Sequence, residues 1–206
     1  MSILESLKLN PFVPLKLVVC GDGGVGKTTL VKTFINGSFF ADAKQTIAVA
    51  FHSTQMRISD PISKAKLKVQ IWDLGGQEQF KNMDMFKTYC KGADVAFLCF
   101  DLTDIGSLYA IPHWLEFLEP ETPKFLIGTK SDLATYEERK VDLSYYKSKF
   151  GCEEAFLCCS THYQSILVVF REIFQWLKEK QQDQFGIFGV KIKQPKWMEI
   201  IPKLKE

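Results

Sequence analysis

Short apolar runs alternate along the chain with stretches whose apolar positions recur every three or four residues. Leu15–Cys20 is a β-branched-rich run that ends at Gly21, and Lys27–Asn36 carries helical spacing through Leu30, Val31 and Phe34. Ile47–Ile58 and Leu67–Trp72 read as two strands joined by a turn at Asp60-Pro61, with Leu67, Val69 and Ile71 alternating. Val95–Phe100, Lys124–Ile127 and Ala155–Cys159 are compact apolar runs of the kind that fill strands buried on both faces. Helices are predicted near Lys81–Lys91, His113–Leu118 and Val141–Phe150. A longer one, Ile166–Glu179, has Ile166, Val169, Phe170, Ile173 and Leu177 on one stripe. Strands separated by helices predict an α/β domain with a six-stranded, mostly parallel sheet and helices on both faces. In such folds ligands bind at the carboxyl ends of the strands.

Composition narrows this picture. The chain has 206 residues, 46% of them hydrophobic and 24% charged, the balance of one globular domain. No apolar run is long enough to span a bilayer, and Met1–Asn10 lacks a signal-peptide pattern. Six scattered cysteines form no CxxC pair and predict reduced core thiols of a cytoplasmic protein. The net charge of +2 is too small to argue for nucleic acid, and the basic excess lies in Lys178–Glu206, with seven lysines against four acids. The predicted organisation is an N-terminal extension over 1–14, a domain over 15–180 and a basic, apolar tail over 181–206. The tail either packs back on the domain or contacts a partner or a membrane surface. The last cysteine is Cys159 and residue two is Ser2, so neither a prenyl nor an N-myristoyl anchor is expected.

The chemistry begins at Gly21-Asp22-Gly23-Gly24-Val25-Gly26-Lys27-Thr28, which matches G-x-x-x-x-G-K-[ST] between a predicted strand and a predicted helix. Glycines let the backbone curl so that its N–H groups face phosphate oxygens, and the helix adds its positive end. Lys27 can reach the β- and γ-phosphates, and the Thr28 hydroxyl can ligate Mg²⁺. This loop does not choose between ATP and GTP. Asp73-Leu74-Gly75-Gly76-Gln77 follows the strand ending at Trp72. Asp73 can hold Mg²⁺ through water, the Gly76 N–H can bond a γ-phosphate, and Gln77 can orient an attacking water. Gly128-Thr129-Lys130-Ser131-Asp132 follows a third strand. A carboxylate at Asp132 can accept from both N1–H and the exocyclic amine of guanine, whereas adenine would leave it unpaired. Lys130 can lay its stem over the base.

These three elements, in this order and at strand ends, resemble the motifs of Ras-superfamily small GTPases over about Leu15–Lys178. The resemblance implies the P-loop G-domain fold, with a six-stranded sheet and five helices. It implies GTP or GDP with Mg²⁺ as ligands and a monomeric switch that hydrolyses GTP slowly, served by an exchange factor, an activating protein and effectors. It places nucleotide contacts on Gly23, Gly24, Val25, Gly26, Lys27, Thr28, Thr29, Gly76, Thr129, Lys130 and Asp132. Phe39 is implied against the guanine edge, and Ser160 and Thr161 on the loop that contacts the guanine oxygen. Metal ligation falls to Thr28, Thr46 and Asp73, and hydrolysis to Gln77, Lys27 and Thr46. Thr129 stands where the family usually has Asn, Thr161-His162 where it has Ala-Lys, and Ala43 where Ras-like proteins often have Tyr. The stretch Thr46–Phe51 is similar to Rab and Ran, Trp72–Gln77 to Arf and Gα, and Ile111–Trp114 to Ran. His162 has no evident proton-transfer partner and reads as structural or solvated.

Two other functions compete with a hydrolysing switch. A nucleotide-bound scaffold is disfavoured by the presence of Gln77, Thr46 and an unobstructed Gly23-Gly24. A P-loop kinase or ATPase is disfavoured by Asp132 and by the scarcity of arginine, which occurs only at Arg57, Arg139 and Arg171.

Overall fold

The computed structural model describes residues 14–41, 45–57, 66–77 and 85–185. Six strands form one sheet: β1 (Leu15–Cys20), β2 (Val49–Arg57), β3 (Lys66–Leu74), β4 (Val95–Asp101), β5 (Lys124–Thr129) and β6 (Glu154–Leu157). Their order is β2-β3-β1-β4-β5-β6, with β2–β3 antiparallel and every other pairing parallel. The helices are α1 (Lys27–Asn36), α2 (Met85–Cys90), α3 (Ile105–Tyr109), α4 (Ile111–Leu115), α5 (Leu143–Lys149) and α6 (Tyr163–Phe185). The predicted class, an α/β domain with a six-stranded, mostly parallel sheet, holds.

Alternation on the central strands feeds two separate cores. On β1, Leu15, Leu17 and Val19 join the layer under α1 and α6, while Val18 and Cys20 point to the layer under α2, α3 and α4. A parallel strand covered on both faces must be apolar at every position, and all seven residues of β4 are buried. Phe34 of α1 stacks flat on Phe170 of α6, ring centroids 3.6 Å apart, so the two helices share one seam. All six cysteines are free and buried, as expected for core thiols, and burial pushes the thiols of Cys152 and Cys158 up to about 12.

Several boundaries differ from the pattern-based expectation. The strand expected from Ile47 starts at Val49, because Ala48 takes a left-handed conformation (φ 56°) and the Val49 N–H closes a tight turn onto the Ile47 carbonyl. The helix expected over His113–Leu118 is displaced to two short pieces, α3 and α4, meeting at Ala110. Pro112 supplies no N–H to continue the α3 ladder, and Asp104 caps α3 by accepting from the Gly106 N–H at 3.0 Å. With these two pieces the described residues hold six α-helices where the resemblance implied five. Ala155–Cys159 is shifted to Glu154–Leu157, and α6 runs from Tyr163 to Phe185, past both ends expected for it. The Asp60-Pro61 turn, residues 81–84, Ala43, the extension up to residue 13 and the tail from 186 lie outside the described residues. Among the described residues no helix is long and apolar enough to cross a membrane.

Candidate active site

The carboxyl ends of β1, β3, β4 and β5 lie side by side, with Val19 opposite Asp73 and Asp101 opposite Thr129. The three chemical segments, which follow β1, β3 and β5, therefore meet at one edge of the sheet. Gly26 begins α1 with φ 98°, a conformation that favours glycine, and no side chain caps the helix. No acidic residue occupies its first turn either. The first N–H groups of α1 are thus left for an anion, and they face a cavity of about 210 Å³. That cavity gathers Gly23, Gly24, Gly26, Lys27, Thr28, Thr29, Thr46, Gly76 and Gln77 from the expected set. It adds Gln45 and Leu74, whose side chains carry no chemical signature in sequence. Val25 turns inward and is buried in the core.

Lys27 is buried, and its ammonium donates to the carbonyls of Gly21 and Asp22 at 2.6 and 2.7 Å. Burial pushes its pKa below the usual lysine value, and the Asp73 carboxylate opposes that shift. A buried ammonium beside a cavity is suited to an entering phosphate, which supplies the negative charge that water would otherwise solvate.

Three oxygen-bearing side chains converge beside it. The Thr28 hydroxyl donates to Asp73 Oδ2 at 2.5 Å. The Thr46 hydroxyl lies 2.6 Å from Thr28 Oγ1 and 3.3 Å from the same carboxylate oxygen. Asp73 is fully buried, and its second oxygen, Oδ1, has no hydrogen-bond partner. Orphaned buried carboxylate oxygens are uncommon. Two hydroxyls and one carboxylate form the all-oxygen, low-charge donor set that Mg²⁺ uses when phosphates and water complete its shell. The residues present therefore fit Mg²⁺.

Asp73 also carries a pH-dependent cost. Burial raises its pKa, opposed by the Thr28 hydroxyl and by Lys27. A carboxyl group whose folded pKa lies above its unfolded one adds stability below the unfolded value, near 3.9, and loses it as pH rises through the folded one. At pH 7 the ionised group therefore weakens the metal-free fold. Asp73→Asn should raise the melting midpoint of nucleotide-free protein at pH 7. The same variant should lose the further stabilisation given by Mg²⁺ with GDP. Thermal melts with and without both ligands check this, and a lowered apo midpoint would contradict it.

The base-side residues form a second cluster. Thr129 Oγ1 lies within hydrogen-bond reach of the Val25 carbonyl in the phosphate loop and the Phe100 carbonyl on β4, so a threonine joins the two loops here. Lys130, at φ 54°, pairs with Asp101 at the end of β4. Burial raises the Asp101 pKa, but the Lys130 ammonium and the Thr103 hydroxyl and N–H outweigh it and hold the carboxyl below its usual range. Asp101 was not singled out in sequence, although an acid at a strand's carboxyl end is the signal that pointed to Asp73. The Thr161 hydroxyl donates to Asp132 Oδ2 at 2.8 Å, and Ser160 precedes it in the same loop. His162 is exposed, with Nδ1 3.3 Å from Cys159 Sγ. Phe39 is 48% exposed after the Gly37 turn. Its neighbour Phe40 is tied down by an N–H to Thr33 Oγ1 and by the Lys32 ammonium over its ring.

Residues 16–180 match the Ras family. The chain is 37% identical over 136 residues to the human Ras-related protein Rab-7b, a match covering 63% of this chain and 64% of that protein. It is 35% identical over 141 residues to Ras-related protein Rab-19 of Xenopus laevis, covering 66% and 62%. With RABA6a of Arabidopsis thaliana the identity is 38% over 131 residues, covering 62% and 54%. The chain thus matches less than two thirds of the length of these relatives.

Proposed function

Starting from the chain's membership of the Ras family, we propose that it is a guanine-nucleotide switch that hydrolyses GTP to GDP and phosphate. The observation that carries this reading is the convergence of Lys27, Thr28, Thr46, Asp73 and Gln77 at the uncapped start of α1.

In this reading the phosphate loop and the Lys27 ammonium bind the β- and γ-phosphates. Thr28, Thr46 and Asp73 would hold Mg²⁺, which would neutralise charge on the phosphate oxygens. The Gln77 amide orients the attacking water in line with the leaving oxygen. Asp132 and Lys130 take the base, with Thr161 and Asp101 fixing their side chains. Thr29, Phe39 and Ser160 complete the proposed contacts.

The switch rests on a packed junction. A Cβ on Gly75 would sit 2.7 Å from the Thr46 carbonyl and 3.0 Å from the Ala48 nitrogen, and the Gly75 N–H donates to the Ala48 carbonyl at 2.8 Å. Thr46 and Gly76 therefore order together when a γ-phosphate engages both. Beside this junction Ile47 and Phe51 are 74% and 60% exposed, and Phe51 meets Trp72 edge-on, centroids 4.4 Å apart. We assign effector contact to this apolar surface, whose shape follows Thr46. The proposal includes an exchange factor and an activating protein, a cytoplasmic location, and a role in signalling or trafficking.

Nucleotide released by denaturing the purified protein should be GDP or GTP by chromatography, and adenine nucleotide in its place would refute the assignment. Hydrogen exchange should show the segments around Thr46 and Gly76 more protected with a GTP analogue than with GDP. Identical exchange in the two states would favour a locked scaffold.

A further inference from the structure

Asp22, the second residue of the phosphate loop, is gripped from three sides. Its carbonyl accepts from the Lys27 ammonium at 2.7 Å. Its backbone abuts Gly76 so closely that a Cβ there would collide with the Asp22 carbonyl group. Its carboxylate Oδ1 accepts from the indole N–H of Trp114 at 2.9 Å, across 92 residues of sequence.

Trp114 is fully buried on α4. Its ring packs against Phe86 of α2 at 5.8 Å and against Phe117 at 5.9 Å. Phe86 is fully buried and belongs to the helix that follows the Gln77 segment in the chain. One side chain thus touches the phosphate loop through a directional bond and the helix after Gln77 through its ring. Core packing alone would be met by any large apolar residue; the indole N–H aimed at a carboxylate in the phosphate loop is not explained by packing.

We propose that Trp114 is a positioning residue for the nucleotide site. It holds Asp22 so that the loop is pre-shaped for the phosphates, and it links that loop to the helix following Gln77. The proposal rests on the guanine-nucleotide reading above. Fixing the Asp22 side chain restricts the backbone on either side of it, including the Lys27-bound carbonyl and the Gly23 and Gly24 N–H groups. A pre-shaped loop loses less entropy when phosphates bind, so nucleotide release is slowed. Without the bond the loop relaxes and a buried indole N–H is left unpaired.

The test is a double-mutant cycle on release of a fluorescent GDP analogue from the full chain, with the Trp114 indole resonance followed by ¹⁵N NMR. Trp114→Phe keeps a ring and removes the N–H; Asp22→Ala removes the acceptor. Each should speed release about tenfold, the size expected for losing a buried hydrogen bond to a charged acceptor. The double variant should be no faster than the single ones, because both remove the same bond. In the unmodified protein the Trp114 indole resonance should move between GDP and a GTP analogue, and in Asp22→Ala it should not. Release within twofold of the unmodified rate in both variants, or effects that multiply fully, would overturn the proposal. Should Trp114→Phe fail to fold, Asp22→Ala at its partly exposed loop position decides alone by the same release threshold. An unmodified protein that binds no guanine nucleotide refutes the underlying reading before any variant is made, and the positioning role falls with it.

Discussion

Gln77→Leu should abolish most GTP turnover while leaving GTP binding largely intact. Phosphoryl transfer in this class relies on positioning and on positive charge near the β–γ bridge. Lys27 supplies charge within the cavity, but no arginine lines it among the described residues. Arg139 is engaged with the Ala134 carbonyl and Arg171 with Glu172. Intrinsic turnover is therefore expected at about 10⁻⁴ to 10⁻³ s⁻¹, and an arginine inserted by a partner should raise it about 10³- to 10⁵-fold. Leucine cannot hold the attacking water, so the variant should resist the partner as well. Gly23→Val should behave similarly, because a Cβ at position 23 would sit 3.3 Å from the Gly76 carbonyl oxygen and 3.7 Å from Gln77 Cα. Branched methyls beyond that Cβ enter the space that Gln77 and an incoming arginine require. Single-turnover hydrolysis of bound GTP measures both effects. An intrinsic rate near 1 s⁻¹, or unimpaired turnover in Gln77→Leu, would show that Gln77 does not orient the water.

Asp132→Asn should exchange guanine for xanthine preference. In the unmodified protein the Thr161 hydroxyl occupies Asp132 Oδ2 and fixes the carboxylate plane. A carboxylate has lone pairs to spare after one such bond and can still accept from guanine N1–H and the 2-amino group. The asparagine amide presents a donor to the 2-amino group, leaving two donors face to face, while xanthine offers a carbonyl oxygen at that position. A site built around a specific hydrogen bond discriminates by up to about 10⁴- to 10⁵-fold, so GDP affinity should fall by orders of magnitude and XDP should compete in its place. Displacement of a fluorescent GDP analogue by GDP, XDP and ADP reads this directly. Equal affinity of the unmodified protein for ATP and GTP would remove the basis of the assignment.

Part of the site was legible because its chemistry is local. The phosphate loop needs glycine conformations, a helix start and a lysine within a single turn of chain, and Gly26, Lys27 and Thr28 meet those needs from adjacent positions. Asp73 and Asp132 were legible for a related reason: each follows a recognisable apolar strand, and parallel strands bring their carboxyl ends to one edge. The start of β2 was not legible. Ile47-Ala48-Val49 reads as strand by its apolar run, yet the close approach of Gly75 to Thr46 and Ala48 bends the chain before pairing begins. The helical piece Ile105–Tyr109 was obscured by Gly106, although Asp104 as its cap was a usable signal.

The amino-acid order alone determined the α/β alternation and the phosphate-loop pattern, and it pointed to the proposed carboxylates Asp73 and Asp132, because each depends on residue types within a few positions of one another or on strand periodicity; Thr46 came only from the family resemblance. Tertiary structure decided which side chains hold these groups in place. Thr161 meets Asp132 and Lys130 meets Asp101 across 29 residues, and Trp114 meets Asp22 across 92. A hydrogen bond requires its partners within about 3 Å in a set direction. Nothing local in sequence specifies that for residues on different strands and helices; it follows from the strand order, the register and the two cores that set the distance of each helix from the sheet.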